Sequence, residues 1–239
     1  NGIGAQTQGG NLAGVANLGT DIEDDFSSSA EVEQTAEQKN NDCDGSVCEN
    51  EIVAQTQAEN SATVENIGGH YEDVDNSAKV EQTAEQENYD CDGSVCENEL
   101  VAQTQGLGIA SIENTGEFED VDNSAEIEQV AAQENQNCDG SVCENGILAQ
   151  TQTENIAAIE NVGEFEDVDN SAKEEQTAEQ ENNDCDGSVC ENGIGAQTQG
   201  GNFAAISNLG EFEDVDNSAK VEQTAEQKNN ECDGSVCEN

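Results

Sequence analysis

No proline, methionine or tryptophan occurs in the 239 residues, and one histidine, His70, accompanies five lysines and no arginine. Each absence excludes something. Proline alone has no N–H to give a sheet ladder, so every residue of this chain can take part in strand pairing. A histidine present in one place cannot supply a recurring triad or zinc site. Five lysines against 55 acidic residues leave a formal net charge of −50. That balance argues against nucleic acid and anionic membranes as partners, because phosphate binding is carried by Lys and Arg. Cations are the natural partners. No apolar run reaches the roughly 20 residues of a spanning helix, so membrane insertion is not expected. The missing methionine, even at position 1, reads as a processed, secreted product. With 33% hydrophobic and 3% aromatic residues, the chain is poor in core-forming side chains, and composition alone resembles that of a disordered polymer.

The pattern contradicts the composition. The octapeptide Cys-Asp-Gly-Ser-Val-Cys-Glu-Asn occurs five times without substitution and holds all ten cysteines: Cys43 with Cys48, Cys91 with Cys96, Cys138 with Cys143, Cys185 with Cys190 and Cys232 with Cys237. Successive copies lie 48, 47, 47 and 47 residues apart. The chain is therefore a single repeat array, with units 2–50, 51–98, 99–145, 146–192 and 193–239. It starts at the repeat position where it ends, and neither end carries an atypical capping sequence, so the phase predicts head-to-tail growth across the 239/1 junction.

Each unit opens on an apolar residue and Ala-Gln-Thr-Gln, then alternates with period two. Asn60, Ala62, Val64 and Asn66 fall on one face, with Ser61, Thr63 and Glu65 on the other; Asn155 to Asn161 and Asn202 to Asn208 repeat this. The acidic stretch Glu117 to Asp122, where all length variation between units falls, reads as a surface arc. Beyond it, Ala78, Val80, Gln82, Ala84 and Gln86 alternate with Lys79, Glu81, Thr83 and Glu85. Helix propensity favours these residues, but the alternation reads as a strand. The fold expected is all-β: a five-repeat β-solenoid or stacked β-arch array, amyloid-like, with about 47 residues per repeat in one or two rungs. Equivalent residues then stack at about 4.8 Å. Gln34, Gln82, Gln129, Gln176 and Gln223 form one amide ladder, and Asn60, Asn155 and Asn202 another.

Asp-Gly between paired cysteines is a tight-turn signal, and the spacing suits a disulfide within each octapeptide. Ladders joining equivalent cysteines of neighbouring rungs are the rival pairing. Either one points to an oxidising, extracellular or cell-surface location. Paired carboxylates occur everywhere and so mark no catalytic pair; no enzyme activity is expected. No cofactor is implied beyond calcium or other cations, and the metal ligands stay unassigned. Asn88-x-Asp90-x-Asp92-Gly93 has the opening of an EF-hand loop but not its closing Glu, since Glu97 comes too early. The Asp120/Asp122 arc is the other calcium candidate. Thr7, Thr56, Thr104, Thr151 and Thr198 form a column, but their Gln neighbours exclude a flat Thr-x-Thr ice-binding array.

The opening of each unit resembles the curlin repeat of curli-type functional amyloid: Gln, any, Gly, two of any, Asn, any, Ala, three of any, Gln. Gln55 to Asn60 and Ala62 to Asn66 follow it, with Gln57 in the glycine place and Asn66 for the last Gln; Gln150 to Asn161 and Gln197 to Asn208 match similarly. Gly108 departs from the pattern in the third unit, and curlin units are shorter and lack the cysteine pair. In overall character the chain is also similar to the sheath proteins of filamentous methanogenic archaea. Both resemblances imply self-polymerising extracellular subunits with no catalytic residues. The function read from the sequence is a structural subunit of an extracellular fibre or sheath whose partner is itself. The alternatives are a calcium-dependent repeat domain of an adhesin and a disordered acidic cation-binding polymer.

Overall fold

The computed structural model of the chain describes residues 1–22, 26–43 and 45–239, with the side chains of 20–22 set aside. The described residues contain thirteen strands and no helix. The first unit holds β1 (Gly2–Gly9), β2 (Leu12–Ile22) and β3 (Phe26–Asn40); β4 (Val47–Ala58) crosses into the second, which holds β5 (Ser61–Tyr71) and β6 (Val74–Asn88). In the later units the second and third strands run on without a break. β7 (Val95–Gly106) is followed by β8 (Ile109–Asn135), β9 (Val142–Thr153) by β10 (Ile156–Asn182), and β11 (Val189–Gly200) by β12 (Phe203–Asn229), with β13 (Val236–Glu238) last.

Every pairing is parallel and joins equivalent residues of neighbouring units. One sheet has the order β1-β4-β7-β9-β11-β13, and the other runs β12-β10-β8-β5-β2 with β3 and β6 continuing it. Val64 sits over Ile112, Ile112 over Ile159 and Ile159 over Ile206. Each unit makes one rung. The disordered polymer suggested by composition is overturned by this continuous pairing: stacking supplies each rung with the neighbours that a lone 47-residue unit lacks.

Within a rung the chain folds back on itself, so that the two sheets lie face to face. Gln55 Nε2 donates across the gap between the sheets to Thr83 O at 2.9 Å, and Asn66 Nδ2 donates to Asn76 Oδ1 at 2.9 Å across the bend where the second sheet folds over on itself. From one end of the rung to the other, the interior holds a cysteine column, an Ile/Leu/Ala cluster around Ile52, Leu100 and Ile147, a glutamine layer, an Ala/Val/Ile cluster around Val64 and Val80, and an aromatic end. The period-two reading of 60–66 and 78–86 matches the burial pattern, with Ala62, Val64, Ala78, Val80 and Gln82 all fully buried.

The acidic stretch is not the surface arc expected from sequence. In β8, β10 and β12 it stays in the sheet, and Phe118 and Val121 point inward at 2% and 1% exposure. Two backbone features turn the chain there. Gly116, Gly163 and Gly210 have φ of 151°, 143° and 144°, and Asp120, Asp167 and Asp214 have φ of 48°, 47° and 44°. Asp is one of the few side chains that tolerates the left-handed region. The extra residue of the second unit is absorbed as a register shift between Ile67 and His70; the insertion of the first unit lies outside the described residues.

Candidate functional site

Among the described residues the interior of the stack is filled by buried side chains, so its chemistry lies in columns. The deepest are amide ladders. Gln82 Nε2 donates to Gln34 Oε1 at 3.1 Å, Gln129 to Gln82 at 2.9 Å, Gln176 to Gln129 at 2.8 Å and Gln223 to Gln176 at 2.7 Å. The second predicted column behaves differently. Asn60 Oδ1 accepts from the Asn11 backbone N–H at 3.2 Å, Asn155 Oδ1 from the Gly108 N–H at 2.8 Å, and Asn202 Oδ1 from the Asn155 N–H at 3.3 Å. The expected amide-to-amide ladder at Asn60, Asn155 and Asn202 is thus replaced by side-chain caps on the backbone. Gly108 breaks the column, and the Nδ2 atoms of Asn60 and Asn155 are buried without a partner. Ile127 reaches toward Gly108, so the larger aliphatic side chain fills the space that asparagine takes in other rungs.

Sequence reading missed the more extensive asparagine ladders. Asn114 Nδ2 donates to Asn123 Oδ1 at 3.0 Å and Asn161 Oδ1 at 2.9 Å, and its Oδ1 accepts from Asn66 at 2.8 Å. Asn88 is in a similar two-column network with Asn98 and Asn135. The repeated Asn at these positions was the signal. Replacing Asn114 by alanine strands several buried partners at once and is expected to cost about 2–4 kcal/mol, against about 1 kcal/mol or less for Asn208→Ala in the exposed end rung. Denaturant unfolding of both variants checks the contrast.

All five cysteine pairs are joined within the octapeptide, with Cα–Cα distances of 5.9, 6.2, 6.3, 6.4 and 6.5 Å. Glycine in the left-handed region, from Gly45 at φ 63° to Gly234 at φ 71°, closes each turn. The bridges themselves stack: the sulfurs of Cys43, Cys91 and Cys96 lie within 4.8 Å of one another. Five disulfides suit an oxidising, non-cytoplasmic environment, and no described helix is long and apolar enough to cross a membrane.

At the other end of the rung the rings of Tyr71, Phe118, Phe165 and Phe212 stack face to face, with centroids 4.8, 4.9 and 5.0 Å apart and planes within 7°. Outside them run two rows of aspartate along a groove, one through Asp120 and Asp167, the other through Asp122 and Asp169. Burial, then the neighbouring Asp169, Asp75 and Asp120 charges, raise the Asp122 pKa; burial and then Glu144, Glu49 and Glu99 raise that of Glu97. The EF-hand-like segment is differently placed. Asn88 is wholly buried and committed to its ladder, which removes the first ligand of such a loop. His70 lies 3.4 Å from Glu72 and 3.9 Å from Glu119, in the second unit alone.

On the outer face of β6 and its equivalents, lysines offset part of the acidic stacking. Lys79 Nζ lies 2.7 Å from Glu81 and 2.9 Å from Glu128 of the next rung. The hydrogen bond from Lys173 lowers the Glu175 pKa against an opposing effect of burial. Where no lysine intervenes, as at Asp122 and Glu97, protons bind more tightly to the stacked state than to the free chain. Stability is therefore complete below the ordinary carboxylate pKa and falls as pH rises through the raised one. Acid or added cations are expected to favour the stack, and melting temperature measured against pH and salt is the check. Equal stability in low-salt neutral buffer and at pH 4 would refute it.

One buried carboxylate belongs to neither row. Glu174 stands where the other rungs have Val32, Val80, Ile127 and Val221, is fully buried, and accepts from the Phe203 N–H at 2.8 Å through Oε1 while Oε2 has no partner. Burial raises its pKa to about 7, against the opposing pull of the Phe203 and Ala157 backbone N–H groups. Comparing the five copies at this position would have revealed it from sequence. No protein-family model, no curated protein and no solved structure matches this chain, so the columns of its own rungs are the whole basis for reading its role.

Proposed function

We propose that this chain is a structural subunit that assembles by continuing its own stack, rung upon rung, into an extracellular fibre or cell-surface sheath. One observation carries the reading. Every rung pairs in parallel, equivalent residue over equivalent residue, so the upper edge of any rung complements the lower edge of any other. A rung with an open edge offers unpaired N–H and C=O groups along both sheets, the template that strand addition uses. The amide and aromatic columns extend with it at no geometric cost. Neither the ladders nor the disulfides perform chemistry in this reading; they stiffen and protect a polymer. Electron microscopy and fibre diffraction test it: particles of open-ended length with a meridional spacing near 4.8 Å are expected. Fusing a polar capping rung to either edge should stop growth, and unchanged length after capping would refute stacking along the repeat axis.

The aspartate rows support a second reading, a repeat domain of an adhesin ordered by calcium. Its signature is different: a monodisperse monomer whose strand content depends on calcium and is lost in chelator.

A further inference from the structure

The outer faces of the two layers differ sharply in charge. On β6 and its equivalents two adjacent outward columns, through Lys79 and through Glu81, are charged in all five rungs. On β5 and its equivalents two adjacent outward columns carry no charge in any rung. One is a ridge of Leu12, Ser61, Ile109, Ile156 and Phe203; the other is a trough of Gly14, Thr63, Ser111, Ala158 and Ala205. Even in the interior rungs the ridge is open to solvent, with Ile109 36% and Ile156 40% exposed. Ten uncharged outward positions in a chain of net charge −50 need a physical reason.

We propose that this uncharged ridge and trough form a lateral contact with a second copy of the same chain, so that stacks associate in pairs. The shape argues for self-association. A ridge whose side chains are large in four of the five rungs, Ser61 being the exception, beside a parallel trough of smaller ones is self-complementary about a two-fold axis, each ridge seating in the other's trough, as in dry interfaces between sheets. The spacing argues for it too, because a partner that engages every rung must repeat at the same interval along the same direction. Charge excludes the alternative orientation. Two copies meeting through the Lys79 and Glu81 columns would bury charged rows, whereas here the nearest charges lie at the rims, Glu65, Glu113 and Glu160 on one side and the exposed Glu59 and Glu154 on the other.

Area sets the condition. Two columns over five rungs cover roughly 14 by 24 Å, about 350 Å² per copy, well below the roughly 800 Å² per partner of a stable interface. A lone five-rung chain therefore dimerises only weakly, and paired stacks hold because the contact lengthens with every rung added. In that respect the inference rests on the stacking reading, and length and width must be measured separately.

The experiment compares wild type, Ile156→Glu and a control, Ala132→Glu on the outer face of the opposite layer in a column that carries Glu85 and Glu179 in the neighbouring rungs, by electron microscopy and sedimentation equilibrium. Long stacks two copies wide are expected for wild type and the control, and long stacks of single width for Ile156→Glu. Single-width wild-type stacks, or a variant that keeps double width, would overturn the lateral contact while leaving stacking intact. Should no stack of any width form, the stacking reading has failed. Sedimentation of the five-rung chain then decides the lateral contact: dimerisation that Ile156→Glu weakens at least about tenfold supports it, and a monomer at all concentrations overturns it.

Discussion

Replacing Glu174 by valine is expected to stabilise the stack by about 3 kcal/mol more at pH 8 than at pH 4. The side chain lies in an otherwise aliphatic column and is fully buried, with one carboxylate oxygen unpartnered. Burial raises its pKa from 4.5 to about 7. Below the ordinary value the carboxyl is protonated in both folded and unfolded chains, and no penalty arises. As pH rises, the unfolded chain ionises first and is favoured; above the raised pKa the penalty is complete. Valine removes the titrating group and with it this slope. Taking the difference between two pH values cancels what the substitution does to packing, and other carboxylates contribute alike to both proteins. Denaturant unfolding of the two chains at both pH values measures it. An equal stability difference at pH 4 and pH 8 would mean that Glu174 titrates normally.

Gly163→Ala is expected to cost about 3 kcal/mol or more and to part the third and fourth rungs at the bend. A Cβ there would sit 1.8 Å from the carbonyl oxygen of Gly116, and φ is 143°. No rotamer relieves that contact, because both atoms belong to backbone. The same collision recurs at Gly210 against Gly163 and at Gly68 against Gly19, so the glycine column is a condition for stacking at this corner. Gly193→Ala is the control, since nothing lies within 4 Å of its Cβ. Thermal unfolding and hydrogen exchange at the bend separate the two; a silent Gly163→Ala would refute the close approach of the rungs.

The sequence makes some of these columns plain and conceals others, for physical reasons. Alternation through Asn60 to Asn66 and Ala78 to Gln86 reveals which side chains point inward, because a strand has a period of two whatever it packs against. It does not reveal what an inward side chain meets across the gap. Asn60 and Asn66 look alike in the pattern, yet Asn66 faces Asn76 and forms an amide network while Asn60 caps the backbone of the rung beneath. In the acidic stretch the density of charge conceals the alternation. Phe118 and Val121 lie on the inner side of a bend made by Gly116 and Asp120, and the carboxylates between them line the outside.

The five disulfides join cysteines five positions apart in sequence, each within its own turn. Ten cysteines admit on the order of a thousand pairings, yet here the partner of each cysteine lies within its own turn. Duplication or loss of a whole repeat, wherever the crossover falls between equivalent positions, therefore leaves no cysteine unpaired and no strand out of phase. The length of such an array is free to drift by unequal recombination, one rung at a time, without passing through a misfolded intermediate form of the gene product.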